Sequence, residues 1–263
     1  MSKPSGRCIF CGRSANLSKQ HVFPDRLRRI LPRQVNSFPA RRYDHYTVGN
    51  NTHSTQAEKR RTGSPGSLKI RKVCSKCNSG WMKDLEEAAF PTIEPLVLGE
   101  TPVLDRESQL QIAKLATNIG LVGEMLLKES FHSPQGDRTN FMITKLPPKD
   151  FHVFIGRVAE PINDPGLRSS ALETIPINGA RKLIFRCFNA QMGSLLIHGV
   201  TMGGDHGIHP LQYCAAHKIA VVWPYHSEIT TGLMPLIPAK EILELRYALQ
   251  NALGDVKYQI FPQ

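Results

Sequence analysis

Val73-Cys74-Ser75-Lys76-Cys77-Asn78-Ser79-Gly80-Trp81-Met82 is the stretch that decides the fold. Two thiols separated by two residues lead into a run where Trp81, Leu85 and Ala88 recur at helical spacing, with Met82 and Ala89 widening the stripe. That pattern reads as a tight turn opening a helix. Pro91 is expected to stop it. Just upstream, Leu68 to Val73 (LKIRKV) alternates apolar and basic residues, as a short strand with one wet face does. Near the start of the chain the thiol pair recurs as Cys8-Ile9-Phe10-Cys11-Gly12, with glycine where a positive φ helps.

Each pair presents two sulfurs on one turn, and two such turns complete a tetrahedron around one ion. Cys8, Cys11, Cys74 and Cys77 are therefore expected to be ligands of a structural Zn²⁺. The competing readings are buried thiols or a redox pair, but neither pair lies near a βαβ unit. The 62 residues between the pairs exceed what a compact zinc ribbon holds. A treble-clef site tolerates them, because its ligands come from an N-terminal knuckle and a distant helix start. Cys187 and Cys214 lie in strand-like surroundings and read as core thiols.

Charge is distributed unevenly. Residues 1–99 hold 18 Lys+Arg against 7 Asp+Glu, whereas the remaining 164 residues hold 15 of each sign. The whole net charge of +11 thus sits on the part that carries the thiol pairs. An acidic partner for that part follows, with nucleic acid as the natural candidate. Arg26, Arg28 and Arg29, then Arg41 and Arg42, then Lys59, Arg60 and Arg61 are the candidate phosphate contacts. A solvated charged face is the alternative for any one of them. Trp81 could stack on a base, but its spacing favours core packing.

Gln20-His21-Val22-Phe23-Pro24 begins nine residues beyond Cys11. Together, CIFCG, KQHVFP and VCSKCNSGWM resemble the zinc-bearing HNH endonucleases over residues 7–90. Those run CxxC, then an acid-His-aliphatic-x-Pro segment, then CxxC-Asn or CxxC-His at a helix start. The resemblance implies a ββα-metal domain in which His21 is the general base. It also implies that a catalytic Mg²⁺ or Mn²⁺, separate from the structural Zn²⁺, stabilises the leaving oxygen. Asn78 takes the last place of the family triad, its carbonyl oxygen toward that ion; helix capping is the other role open to it. For His21 the other role is packing or hydrogen bonding. Gln20 stands where the family has an acid or histidine, and LKIRKV offers no middle Asn. Asp25 or Asp44 could supply the missing charge, and Asn50 or Asn51 the missing amide.

Residues 40–67 are polar, nearly free of aliphatics, and read as a long loop. Asp25 to Leu31 could form one or two helical turns. Residues 91–104 carry three prolines and a glycine and read as a linker, after which Asp105 resembles the N-cap of a long buried helix to about Lys128. FHVFIGRV, KLIFRCFNA, GSLLIHGV and KIAVVWPY read as strands, and Pro238 to Ala252 as an amphipathic helix. Asp205, His206, His209 and His217 form a weaker candidate metal cluster.

The expected fold is α+β. A zinc-binding nuclease-like domain over residues 1–95 would precede an α+β domain over 96–263, with a long buried helix and a mainly antiparallel sheet, serving targeting or assembly. The N-terminus lacks a secretory signal and no apolar run approaches a membrane span, so a soluble, cytoplasmic protein is expected. The expected partner is nucleic acid, DNA first, with no membrane; a homodimer is compatible. Two functions fit: a metal-dependent HNH-type endonuclease, or a non-catalytic zinc-finger nucleic-acid-binding protein on the same scaffold.

Overall fold

A computed structural model describes residues 5–31, 36–39, 44–47, 54–55, 60–63, 65–127, 129–174, 184–201, 214, 217–242, 245 and 258–262. The chain opens with β1 (Ser5–Arg7), β2 (Ser14–His21) and one helical turn, α1 (Leu27–Ile30). Short strands β3 (Asn36–Pro39), β4 (Asp44–Thr47), β5 (Ser54–Thr55) and β6 (Arg60–Gly63) precede β7 (Lys69–Cys74). Then come a single turn, α2 (Ser75–Cys77), a wider π turn at Asn78–Met82, and α3 (Lys83–Leu98). β8 (Val103–Leu104), α4 (Arg106–Gly123) and α5 (Gln135–Thr144) lead to the long strands β9 (Phe151–Thr174) and β10 (Ile184–Thr201). β11 (Ala220–Trp223), β12 (Ile229–Thr230), β13 (Leu236–Ile237) and β14 (Tyr258–Pro262) complete it.

The molecule is mixed α+β. β1, β2 and β7 form one small antiparallel sheet. β9 organises a larger one, pairing antiparallel with β10, β11 and β14 and parallel with β13, so the expected antiparallel bias holds. α4 packs against that sheet as the buried helix, and Asp105 caps it by accepting a 2.8 Å bond from the Ser108 N–H. One apolar cluster joins Phe10, Phe23 and Ile93 to Ile112, Phe141 and Ile197, residues from both sides of position 95.

Three expectations are corrected. Pro91 does not end the helix: α3 runs through Pro91 and Pro95 to Leu98 and stops at Gly99, in the left-handed conformation. Each proline forfeits a backbone bond, but Phe90, Ile93, Leu96 and Val97 are buried, and that packing offsets the loss. Residues 91–98 are therefore helix rather than linker. The polar segment 40–67 is also not all loop. β3 pairs with β6, and β4 pairs with β5 and β14, so strand pairing rather than apolar burial satisfies its backbone. Third, the described part of KLIFRCFNA, from Ile184, and GSLLIHGV form one strand, β10, bulged around Gly193. α4 itself ends at Gly123, shortly before the expected limit, and continues as a 3₁₀ turn. Arg41, Arg42, Lys59, Asn50, Asn51, Asp205, His206 and His209 lie outside the described residues, as does most of the expected C-terminal helix beyond residues 239–242. No helix of the described residues is long and apolar enough to cross a membrane.

Candidate functional site

Cys8 and Cys11 sit on the turn between β1 and β2. Gly12 follows with φ 68°, and its N–H bonds back to the Cys8 carbonyl at 3.0 Å, so the expected positive φ closes the knuckle. The Ile9 N–H bonds to the Lys72 carbonyl at 3.0 Å and fastens the knuckle to β7. Cys74 ends β7 and caps α2, accepting from the Cys77 N–H through its sulfur at 3.5 Å. The four sulfurs lie within 4.8 Å of one another, with Cys11 and Cys74 3.8 Å apart. A tetrahedral Zn–S₄ cage with ~2.3 Å bonds has sulfur–sulfur edges of about 3.8 Å. This group can hold a metal ion such as zinc.

The chemistry of the donors agrees with the geometry. Burial alone would raise the Cys8 thiol, but N–H groups of Cys74, Cys11 and Phe10 outweigh it and hold the pKa below its ordinary value. Burial, together with neighbouring sulfurs, pushes Cys11 and Cys77 up. Four thiols this close, three of them buried, cannot all shed their protons against one another unless a cation compensates them.

The first knuckle is gripped from an unexpected direction. Gln135 Nε2 donates to the carbonyls of Ile9 (2.8 Å) and Phe10 (3.1 Å), and Thr139 Oγ1 donates to Phe10 (2.8 Å). Trp81 is sandwiched edge-on between Phe10 and Phe141, centroids 5.0 and 5.7 Å away, so it packs the core as its spacing predicts.

His21 ends β2 directly opposite Lys69 of β7. Its ring is largely covered, with Nε2 3.7 Å from Asp25 Oδ1, and its buried Nδ1 has no hydrogen-bond partner among the described residues. Burial and the Lys69 charge push its pKa below the ordinary histidine value; Asp25 opposes them and Arg28 adds to them. Burial and the Lys69 charge both favour the neutral imidazole. Burial disfavours the Asp25 carboxylate, yet a 2.6 Å bond from Arg28 and the charges of Arg28, His21 and Lys69 hold its pKa down.

Gln20 does not face solvent. It is 3% exposed, and its amide donates to the His21 carbonyl (2.8 Å) and to Glu86 of α3 (3.4 Å). Glu86 is the acid that sequence reading missed. Burial raises its pKa to about 7, with the Gln20 bond opposing and the charges of Asp25 and Glu87 adding. A lone acid on a helix reads as solvated surface, so nothing local marks it.

Asn78 stands at the helix start but does not cap it; Cys74 does. Its amide donates to Ser18 Oγ at 3.0 Å, three positions from His21, which is about 10 Å of strand. Of the arginines, Arg26 lies over the Phe90 ring at 4.1 Å, with Glu94 3.9 Å away, and Arg28 is committed to Asp25. Arg29 is exposed, and Arg60 and Arg61 belong to β6. Exposed cations that sequence reading passed over are Lys19, Lys69, Arg71 and Lys72 on the β2–β7 hairpin. Their signal was the basic alternation in LKIRKV. Of the weaker cluster only His217 is described, and the four cysteines are the only group among the described residues arranged to hold a metal. No protein-family model, curated protein or solved structure matches the chain.

Proposed function

We propose that this chain is a metal-dependent endonuclease of the HNH type, built on a treble-clef zinc site and hydrolysing nucleic-acid phosphodiester bonds with His21 as general base. One observation carries the reading: a largely covered imidazole, beside a carboxylate and a lysine, ends the strand that begins at the four-sulfur cage. Zinc in that cage would fix the hairpin against the helix start. A ring with its proton on Nδ1 leaves Nε2 to accept a proton from water. The resulting hydroxide attacks phosphorus, the bond to the 3′ oxygen breaks, and that oxygen is protonated by solvent. Lys69, opposite His21, orients the phosphate by charge.

A bound Mg²⁺ or Mn²⁺ would supply charge neutralisation at the phosphate and the leaving oxygen. One or two carboxylates plus the substrate phosphate are an ordinary Mg²⁺ ligand set, and Asp25 is the carboxylate beside His21 that could serve in it. Gln20 is not part of that set, because its side chain is buried on the Glu86 side of β2.

A non-catalytic zinc-finger nucleic-acid-binding protein is the second reading. The inward Gln20 amide and the engagement of Asn78 with Ser18 favour it. A plasmid-nicking assay with Mg²⁺ or Mn²⁺ separates the two. The endonuclease reading expects nicking by the parent and its loss in His21→Ala at unchanged zinc content. A variant that nicks as well as the parent removes His21 from the chemistry. A parent that binds DNA and never nicks it leaves the second reading.

A further inference from the structure

We infer that the exposed face of the β2–β7 hairpin is a track for a nucleic-acid phosphate backbone, formed by Lys19, Arg71 and Lys72 and ending at Lys69 beside His21. The inference deepens the proposed function and rests on its nucleic-acid partner, not on catalysis.

The pairing register sets the track. Ser18 pairs with Val73 and Gln20 with Ile70, so between those pairs β2 has one residue, Lys19, where β7 has two, Arg71 and Lys72. This is a β-bulge, which re-aims side chains at the point where the count differs. Without it, Arg71 and Lys72 would point to opposite faces. With it both are exposed, while Ile70 and Val73 on either side are buried in the core. Lys19 is exposed opposite them. Two positions further along β2, on the same face, is His21, opposite the exposed Lys69.

Three cations are thereby placed around one bulge, and a fourth lies about 7 Å along the strand. Among the described residues no carboxylate forms an ion pair with any of the four. Like charges set across a strand pair repel one another, and a polyanion laid along the face removes that repulsion and releases its own counterions. The residues between the cations are polar or turned inward, so the face offers no apolar wedge to a lipid surface. Arg26 and Arg28, the first sequence candidates, are engaged within the protein, which leaves the hairpin as the described cationic face continuous with His21.

Fluorescence-anisotropy titration of a 20-base-pair DNA duplex against the zinc-loaded full chain, over a series of salt concentrations, tests the track. The comparison is parent against K19Q/R71Q/K72Q, with thermal melting and zinc content as controls on folding. The plot of log affinity against log salt is expected to lose about 2.7 from its slope in the variant, roughly 0.9 per phosphate contact. An unchanged slope in a folded, zinc-loaded variant overturns the track and leaves the nucleic-acid reading standing. A parent that binds no duplex at any salt overturns both. Vesicles of phosphatidylserine and phosphatidylcholine form a second arm; binding there that the triple substitution abolishes, with the DNA slope intact, makes the face a membrane surface and overturns the inference.

Discussion

Arg138, on α5, donates from Nε to the carbonyl of Ile9, inside the first thiol knuckle, at 2.9 Å. The two residues are 129 apart in sequence and both are buried. Arg138 also donates to the Ser133 carbonyl and lies 3.5 Å from Glu124 at the end of α4, whose carboxylate in turn accepts from the Ser133 N–H (3.0 Å) and Oγ (2.8 Å). The knuckle therefore has its outer support in the later part of the chain. Its backbone carbonyls bond to α5, and α5 is tied to α4 through a buried ion pair.

That dependence predicts that residues 1–95 alone will not form a stable zinc module. The fragment loses Gln135, Arg138 and Thr139 from the knuckle carbonyls and the T-shaped contact of Phe141 with Trp81. In the full chain, Arg138→Ala removes the buried bonds to the Ile9 and Ser133 carbonyls and one of the two arginine charges near Glu124, and is expected to lower unfolding stability by about 1–3 kcal/mol. Arg138→Lys should recover only part, since an ammonium cannot reproduce the guanidinium fork. Urea denaturation of zinc-loaded protein reads both. A fragment that binds zinc and melts cooperatively would show that the later residues are dispensable to the knuckle.

The sulfur cage predicts one zinc per chain. Co²⁺ in its place should give the intense thiolate charge-transfer absorption of a four-sulfur tetrahedral site. Serine at Cys8, Cys11, Cys74 or Cys77 should each lower zinc affinity by at least about tenfold, whereas Cys187→Ser and Cys214→Ser should leave zinc content unchanged. Chelation is expected to unfold the hairpin–helix unit, because metal affinity and folding are linked. Equal metal content in the Cys11→Ser and Cys187→Ser proteins would contradict the cage.

What was legible in the sequence was local. The thiol pairs, the Gly12 turn, the alternating strand at 69–74 and the Asp105 cap each follow from a few adjacent residues and a single rule of geometry. What was not legible depends on residues far apart. Pro91 read as a stop and Pro95 as part of a linker until Phe90, Ile93, Leu96 and Val97 are found buried together. KLIFRCFNA and GSLLIHGV read as two strands, the second opening at Gly193. That glycine has φ 56°, and a Cβ there would lie 2.3 Å from the Val97 carbonyl oxygen, so it marks a close approach of β10 to α3. Glu86 and Lys69 were hidden similarly, since only the folded strand pair brings Lys69 opposite His21 and only the helix brings Glu86 to Gln20.

His21 predicts the acid limb of the nicking rate. Burial, with Lys69, depresses its pKa, so the neutral, proton-accepting form persists below the ordinary histidine value of about 6.5. The rate should be level through neutral pH and fall only at more acid pH than an exposed histidine would give. Lys69→Gln removes the nearest positive charge and should move that limb toward higher pH. A limb that does not respond to Lys69→Gln would mean that another group titrates. His21→Ala should cost 10²- to 10⁴-fold in rate, the usual contribution of a positioned base.

Glu86 predicts a pH dependence of stability that needs no catalysis. Its folded pKa is raised by burial to about 7, whereas an unfolded glutamate ionises near 4.3. Between those values the folded state binds more protons than the unfolded one, so stability falls as pH rises through this window and levels off above about 7. One group can supply at most about 1.4 kcal/mol per pH unit. Glu86→Gln keeps the shape and a hydrogen-bonding side chain toward Gln20 without an ionisable proton, so its melting temperature should change less than the parent's between pH 6 and 8. Zinc content measured at both pH values separates the effect from loss of the cage. If parent and variant lose stability in parallel, Glu86 is already ionised in the folded protein, and the covered pocket between Gln20 and α3 is wetter than its burial implies.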